Sequence, residues 1–172
     1  CIYTGIVTDT GSFRHSNVTQ RTHKIAGELI KCGLNSSEIH SALFDNRPFE
    51  KVKLMGHVLS NVYLKLNNKA AILKVPKELL ESLNLVHCDT SDIISIGLGI
   101  KDVEVAALLK EVDEGIKVSF RSKNSVDVRK AAETFGGGGH IKAAGAMIKG
   151  VGLDEAENRI LDALDKVMII NE

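Results

Sequence analysis

The chain has 172 residues, 44% hydrophobic and 26% charged, which suffices for one domain, or for one domain and part of another. Lysine plus arginine and aspartate plus glutamate both total 22. This balance argues against extensive, sequence-independent binding of duplex nucleic acid. Seven aromatic side chains are too few for an extended base-stacking platform.

The first 60 residues are predicted to be mainly helical. Residues 1–9 are apolar and fit either a helix or a strand, and a loop follows them. Thr19 is a predicted N-cap of a helix that ends at Gly33. Asn35 and Glu38 have capping-box spacing, and Pro48 suits the first turn of a further helix.

From residue 62 onward the sequence predicts a mixed α/β domain of about 110 residues, with its boundary near residues 50–60. Asn67 and Asn68 separate two short apolar runs and indicate a hairpin. The remaining predicted elements are a helix at 76–85, strands at 92–99, 103–112 and 116–120, a helix at 126–135, a strand at 143–148 and an amphipathic helix at 154–168.

Three widely spaced cysteines indicate thiols in a reducing compartment rather than a disulfide framework. No segment has the length and apolarity of a membrane span or the form of a signal peptide, so the expected location is the cytoplasm, without membrane association. The chain opens on an apolar run without an initiating Met, which predicts a piece of a longer protein.

Asp9 ends an apolar element and precedes Thr10-Gly11-Ser12, which places a carboxylate at a loop mouth. Such a carboxylate suits a hard divalent cation, although a simple loop cap is an equally good interpretation. Aspartic proteases carry the same short motif. That chemistry needs two such carboxylates in a β-rich frame, whereas residues 19–60 are predicted to be helical and the sequence has no second Asp-Thr-Gly. A protease that dimerises would supply the second copy.

Residues 136–145 carry four consecutive glycines followed by His140. Ordering such a run is entropically costly, so the run is a poor choice for a simple connector. A flexible hinge is the alternative interpretation. Glycine leaves backbone N–H groups uncovered for an anion, and His140 can donate a hydrogen bond to phosphate. The run is neither a P-loop nor a dinucleotide-binding fingerprint.

A basic strand precedes this glycine run. Alternation places Lys117, Ser119, Arg121 and Lys123 on one strand face, where a planar guanidinium fits phosphate oxygens; a solvated strand face is the alternative. Residues 116–150 hold seven basic and two acidic side chains, while residues 151–172 hold six acidic and two basic ones. The net charge of zero therefore conceals a basic segment around the glycine run, and such a segment is suited to binding phosphate.

These motifs together resemble the DHH/DHHA1 phosphoesterase family, particularly its nanoRNase branch. The string Gly-Gly-Gly-Gly-His-x-x-Ala-Ala-Gly at 136–145 resembles the DHHA1 signature. Arg121-Ser122 and the segment 5–13 match the same family in the expected order. The resemblance implies that residues 1–55 are the C-terminal part of a DHH domain with a linker helix. It implies that residues 56–172 are a DHHA1 domain, with a mixed sheet flanked by helices.

The resemblance also implies a metal-dependent enzyme that hydrolyses short RNA or DNA oligonucleotides or small nucleotides, among them 3′-phosphoadenosine 5′-phosphate and cyclic di-AMP. Its cofactor would be Mn²⁺ or another divalent cation, with Asp9 as one metal ligand. The substrate phosphate would be bound by the residues matching the family site: Arg121, Ser122, Gly136, Gly137, Gly138, Gly139 and His140.

The Asp-His-His motif and the other metal-binding Asp residues of that family are absent from these 172 residues. The chain alone is therefore expected to be inactive and to bind no metal tightly. No residue in it is predicted to be catalytic. A non-catalytic, tRNA-type binding module is the main alternative, and a structural dimerisation domain is a third. A homodimer is compatible with each of them.

Overall fold

A computed structural model of the chain describes residues 1–169 and separates into two compact units, the first ending at Pro48 and the second beginning at Phe49. The first unit contains α1 (Ile2–Asp9), α2 (Gln20–Lys31) and α3 (Ser36–Phe44). Its core is small: Tyr3 and Val7 of α1 pack with Ala26 of α2.

Local capping explains where these helices begin. The Thr19 hydroxyl accepts a hydrogen bond from the backbone N–H of Thr22, while the Thr22 hydroxyl accepts one from the N–H of Thr19. Asn35 caps α3 through its side-chain oxygen, which accepts from the N–H of Glu38. Both predicted caps are confirmed.

The second unit is built around one mixed sheet. Its helices are α4 (Phe49–Ser60), α5 (Lys77–Ser82), α6 (Ser91–Leu98), α7 (Val128–Glu133) and α8 (Leu153–Ile169). Its strands are β1 (Tyr63–Lys65), β2 (Ala70–Val75), β3 (Val105–Val112), β4 (Gly115–Ser122), β5 (Gly138–His140) and β6 (Ala143–Ile148). Residues 49–55, expected with the first part, form the start of α4.

The strand order is β1-β2-β3-β4-β6-β5. β2 and β3 are parallel and are joined through α5 and α6, as a parallel pair requires a crossover. The other neighbours are antiparallel, and β5 forms the edge strand beside β6. A mixed sheet flanked by helices confirms the predicted fold class.

The two faces of the sheet are covered differently. On one face, α7 and α8 pack over residues of β2, β3, β4 and β6, including Phe120 and Ile116. On the other, α4, α5 and α6 bury residues of β2 and β3, including Leu73 and Leu108. On this second face the side chains of β4, β5 and β6 stay partly or fully exposed. We call this exposed part the open half-face.

Two predicted elements need correction. Residues 92–99 were expected to form a strand because isoleucine favours strands, but they lie in helix α6. A Cβ on Gly97 would lie 2.8 Å from a Leu73 methyl carbon, so this glycine lets α6 pack closely on β2. The second is the glycine run at 136–139, which was expected to be a loop. Its second half, Gly138 and Gly139, lies in the edge strand β5. Among residues 1–169, no helix is long and apolar enough to cross a membrane.

Candidate functional site: an anion-binding face on the sheet

Strand register brings Arg121 and His140 into one row on the open half-face. Arg121 of β4 lies opposite Ala143 of β6, and Ala143 lies opposite His140 of β5. Directly opposed residues point to the same side of a sheet, and neighbouring strands are about 4.8 Å apart. The guanidinium and imidazole therefore flank a small residue, which leaves room for a ligand between them.

The four glycines of the run have different reasons to lack a side chain. Gly136 has φ +70° where the chain leaves α7, and Gly139 has φ +143°. A Cβ on Gly137 would lie 2.2 Å from the carbonyl oxygen of Gly145, and one on Gly139 would lie 2.5 Å from that of Ala143. These three glycines serve the turn and the close approach of β5 to β6.

Gly138 is the exception. It is exposed, its φ is not in the left-handed region, and a Cβ there would meet nothing within 4 Å. It lies opposite Gly145 of β6, one row from the Arg121–His140 row. The fold of residues 1–169 does not need this glycine, whereas a ligand lying against the strand would.

Ser122 does not share this face. It is buried on the side covered by α7 and α8, and its hydroxyl donates to the carbonyl oxygen of Val126 at 2.7 Å. Its backbone N–H donates to the carbonyl oxygen of Lys142. Ser122 thus ties β4 to the segments that lead into α7 and β6, and its hydroxyl is not directed at the open half-face.

A cavity of about 800 Å³ continues from Arg121 along β4. Its floor includes Ser119 and Met147, and its wall is the segment 86–91 that leads into α6. The predicted alternation along β4 is confirmed for Lys117, Ser119 and Arg121, which line this cavity. Lys123, the fourth residue of the predicted row, follows the end of β4, and its ammonium donates to the carbonyl oxygen of Ile100.

Two buried lysines hold the wall of the cavity in place. Lys110 of β3 donates to the carbonyl oxygen of Cys88 at 2.9 Å. Lys51 of α4 donates to the carbonyl oxygen of Asp89 and forms an ion pair with Asp92 at 3.0 Å. Because charged donors bind carbonyl oxygens strongly in poorly solvated positions, these contacts fix the wall relative to the sheet.

Asp89 is stabilised in its ionised form. Burial opposes ionisation, but hydrogen bonds from the hydroxyl and N–H of Ser91, with the nearby charge of Lys51, outweigh it and lower the pKa of Asp89. The carboxylate thus binds the first residue of α6, near the positive end of that helix.

Asp9 lies in the first unit, at the last residue of α1, and is exposed. The loop beyond it is unusual because Gly11, Ser12 and Phe13 all have positive φ, from +55° to +63°. The His15 ring packs so close to Gly11 that a Cβ there would lie 2.4 Å from Nε2. The positive φ of Gly11 favours glycine there, and a side chain at this position would also displace the His15 ring.

These residues do not form a metal site on their own. No group of three His, Cys, Asp or Glu side chains that could hold a metal ion occurs within residues 1–169. A two-metal site needs several carboxylate or imidazole ligands, and Asp9 offers a single carboxylate. Asp9 alone therefore does not make such a site.

Sequence reasoning missed the cavity wall and the two lysines that hold it. The wall ends at α6, which was predicted as a strand. Lys110 lies in β3, and the sequence does not show that its ammonium reaches the carbonyl oxygen of Cys88. What distinguishes these two lysines from the others is that they are buried, and burial is seen in the structure but not in the sequence.

Comparisons with known proteins agree with the sequence motifs. A protein-family model described as the DHHA1 domain matches residues 86–169. The bifunctional oligoribonuclease and PAP phosphatase NrnA of Thermus thermophilus is 35% identical over 163 residues, which are 95% of this chain and 48% of that protein. The protein of the same name from Bacillus subtilis is 36% identical over 161 residues, 94% of this chain and 50% of that protein.

A solved structure has a closely similar fold. The crystal structure of an exopolyphosphatase-related protein from Bacteroides fragilis has a TM-score of 0.93 and 31% identity, covering 100% of this chain and 51% of that protein. The chain therefore spans about half the length of the relatives it matches.

Proposed function

The chain belongs to the DHH/DHHA1 family, and from this premise we propose that it is the substrate-binding part of a nucleotide phosphoesterase. The substrates are short oligonucleotides or small nucleotides, and Arg121 and His140 bind a terminal phosphate. The observation that carries this proposal is the row Arg121–Ala143–His140 on the open half-face.

The chemistry of the row fits a phosphate. Arg121 offers a planar fork of N–H donors, of which one is used by the carbonyl oxygen of Phe120 at 3.0 Å. His140 is exposed and offers a ring N–H. Gly138 lets the ligand approach the backbone of the edge strand, whose outer N–H groups have no partner strand in the described sheet.

The role in catalysis is one of binding rather than bond cleavage. Asp9 would contribute one metal ligand, and a complete Mn²⁺ site would need ligands that residues 1–169 do not supply. The relatives from Thermus thermophilus and Bacillus subtilis are about twice as long, which supports a parent enzyme whose remaining ligands lie outside this chain. A site for the terminal phosphate at a fixed distance from the site of hydrolysis would select substrates by length and favour short ones.

A binding and turnover assay on the 172-residue chain tests this proposal. We expect 5′-phosphorylated triadenylate to bind and, with Mn²⁺ present, not to be hydrolysed. Arg121→Met should weaken binding about 10- to 100-fold, because a charge-assisted hydrogen bond contributes about 1.5–3 kcal/mol. His140→Phe, which keeps a ring but removes the N–H, should cost less, about fivefold, as expected for a neutral donor.

Arg159→Met is the matched control, because Arg159 lies on α8, on the opposite face, and pairs with Glu155. Unchanged binding in Arg121→Met would contradict the phosphate site, and hydrolysis by the chain alone would contradict the binding-only role. The tRNA-module alternative predicts the reverse preference, in which folded tRNA displaces triadenylate at equal phosphate concentration.

A further inference from the structure

The cavity along β4 has a second cationic end that the terminal-phosphate site does not use. Arg121 lies at one end, and Lys110, Lys117 and Lys149 lie at the other. We call this second group the lysine end. Lys117 and Lys149 are exposed, and neither has an ion-pair partner among the residues that the structure describes.

The lysine end places like charges side by side. Lys110 and Lys117 are directly opposite each other on β3 and β4 and point to the same face. Such a pair is destabilising unless a counter-charge is present. The ammonium of Lys110 is drawn toward the carbonyl oxygen of Cys88, a neutral group that does not compensate its charge.

The carboxylates that line the cavity do not fully balance these charges. Asp89 and Glu114 are two acidic side chains, whereas Arg121 and the three lysines are four basic ones. Glu114 lies in the exposed turn between β3 and β4 and forms no ion pair within residues 1–169. The lysine end therefore retains excess positive charge, which favours an anionic ligand.

Spacing separates the two ends into distinct subsites. Arg121 and Lys117 are four residues apart on one strand face, which corresponds to about 13 Å. One phosphate group cannot reach both. Ser119 and the bare backbone of Gly145 lie in the row between them, and the polarisable thioether of Met147 borders this floor. The intervening space suits a nucleoside.

We propose that Lys117 and Lys149, with Lys110 behind them, form a second phosphate subsite. It binds a later backbone phosphate of an oligonucleotide whose terminal phosphate is held by Arg121 and His140. This inference rests on the proposed function and deepens it, because it makes the number of phosphates in the ligand a determinant of affinity.

The test compares two probes on the 172-residue chain: AMP, with one phosphate, and 5′-phosphorylated triadenylate, with three. The variant is Lys117→Met/Lys149→Met, which removes two charges and keeps most of the side-chain length. We expect triadenylate to bind about fivefold to tenfold more weakly and AMP to bind unchanged. The slope of log K against log salt should fall by about 0.7 for each phosphate that the variant no longer neutralises.

Lys166→Met removes an exposed charge on α8, on the opposite face of the sheet, and is the charge control. Thermal unfolding verifies that each variant is folded. Equal losses of affinity for both probes would place the lysines on the same phosphate as Arg121 and overturn the second subsite. Unchanged triadenylate binding would overturn it as well. If Arg121→Met has no effect while the lysine variant weakens triadenylate binding, the terminal-phosphate site fails and the lysine end stands.

Discussion

At the residue scale, the glycine run separates structural glycine from functional glycine. Gly139 is required by the backbone: its φ is +143°, and a Cβ would lie 2.5 Å from the carbonyl oxygen of Ala143. Gly138, one residue earlier, is free of both constraints. The two neighbours form a matched pair for mutation.

Gly139→Ala should lower the free energy of unfolding by at least about 1–3 kcal/mol, the cost of a strained backbone, with the steric contact adding to it. Gly138→Ala should change it by less than about 0.5 kcal/mol and yet weaken triadenylate binding, because the new methyl group projects onto the open half-face. Urea unfolding and ligand titration on both variants measure the two effects. Unimpaired ligand binding in Gly138→Ala would show that the ligand does not approach the edge strand.

At the element scale, a polar network joins β1 and β2 to α8. The Tyr63 hydroxyl donates to the Glu157 carboxylate at 2.6 Å, and Lys74 forms ion pairs with Glu157 at 2.6 Å and Asp154 at 2.7 Å. Burial, followed by the hydrogen bond to Glu157, raises the pKa of Tyr63 to about 12. Burial lowers the pKa of Lys74, but its hydrogen bonds to Asp154 and Glu157 outweigh this and raise it.

This network predicts a loss of stability in alkali. Tyr63 and Lys74 both hold their protons more tightly in the folded chain than in the unfolded chain. Their contribution is complete below pH 10 and is lost as the pH rises toward 12. Tyr63→Phe should therefore flatten the decrease in stability between pH 10 and 12, as followed by urea unfolding at each pH. An identical decrease in Tyr63→Phe would assign the alkaline transition to other groups.

Elements were predictable from the sequence where local signals agree. Thr19 and Asn35 have cap residues at the required spacing, and Asn67–Asn68 supply the turn of a hairpin, so those boundaries are correct. Helix α6 was not predictable because its isoleucines favour a strand by propensity. Its helical state depends on packing against Leu73, a contact between distant parts of the chain.

The candidate site shows the same limit. Arg121, His140 and the glycines were identified from their chemistry, and their role in phosphate binding stays a prediction. Ser122 was expected to bind the ligand, but its hydroxyl donates to the carbonyl oxygen of Val126. Strand alternation already places residue 122 on the face opposite Arg121, and that conflict with the expected role was visible in the sequence. Lys110 was not identified because the sequence does not show that it is buried against the segment 86–91.

At the scale of the whole molecule, the two units differ in how much core they contain. The first unit buries three hydrophobic side chains, Tyr3, Val7 and Ala26. The second has two clusters on the two faces of its sheet, and β2 and β3 are buried along most of their length. Since burial of apolar surface is the main stabilising term, the two units should differ in stability.

Amide hydrogen exchange should reveal this difference. Amides of α1, α2 and α3 should open with a free energy at least about 1.4 kcal/mol lower than amides of β3 and β4, which is a tenfold faster exchange. Val7→Ala removes two buried methylene equivalents, or about 1.6 kcal/mol, and should speed exchange in the first unit alone. If Val7→Ala accelerated exchange in β3 and β4 to the same extent, the chain would unfold as one cooperative unit.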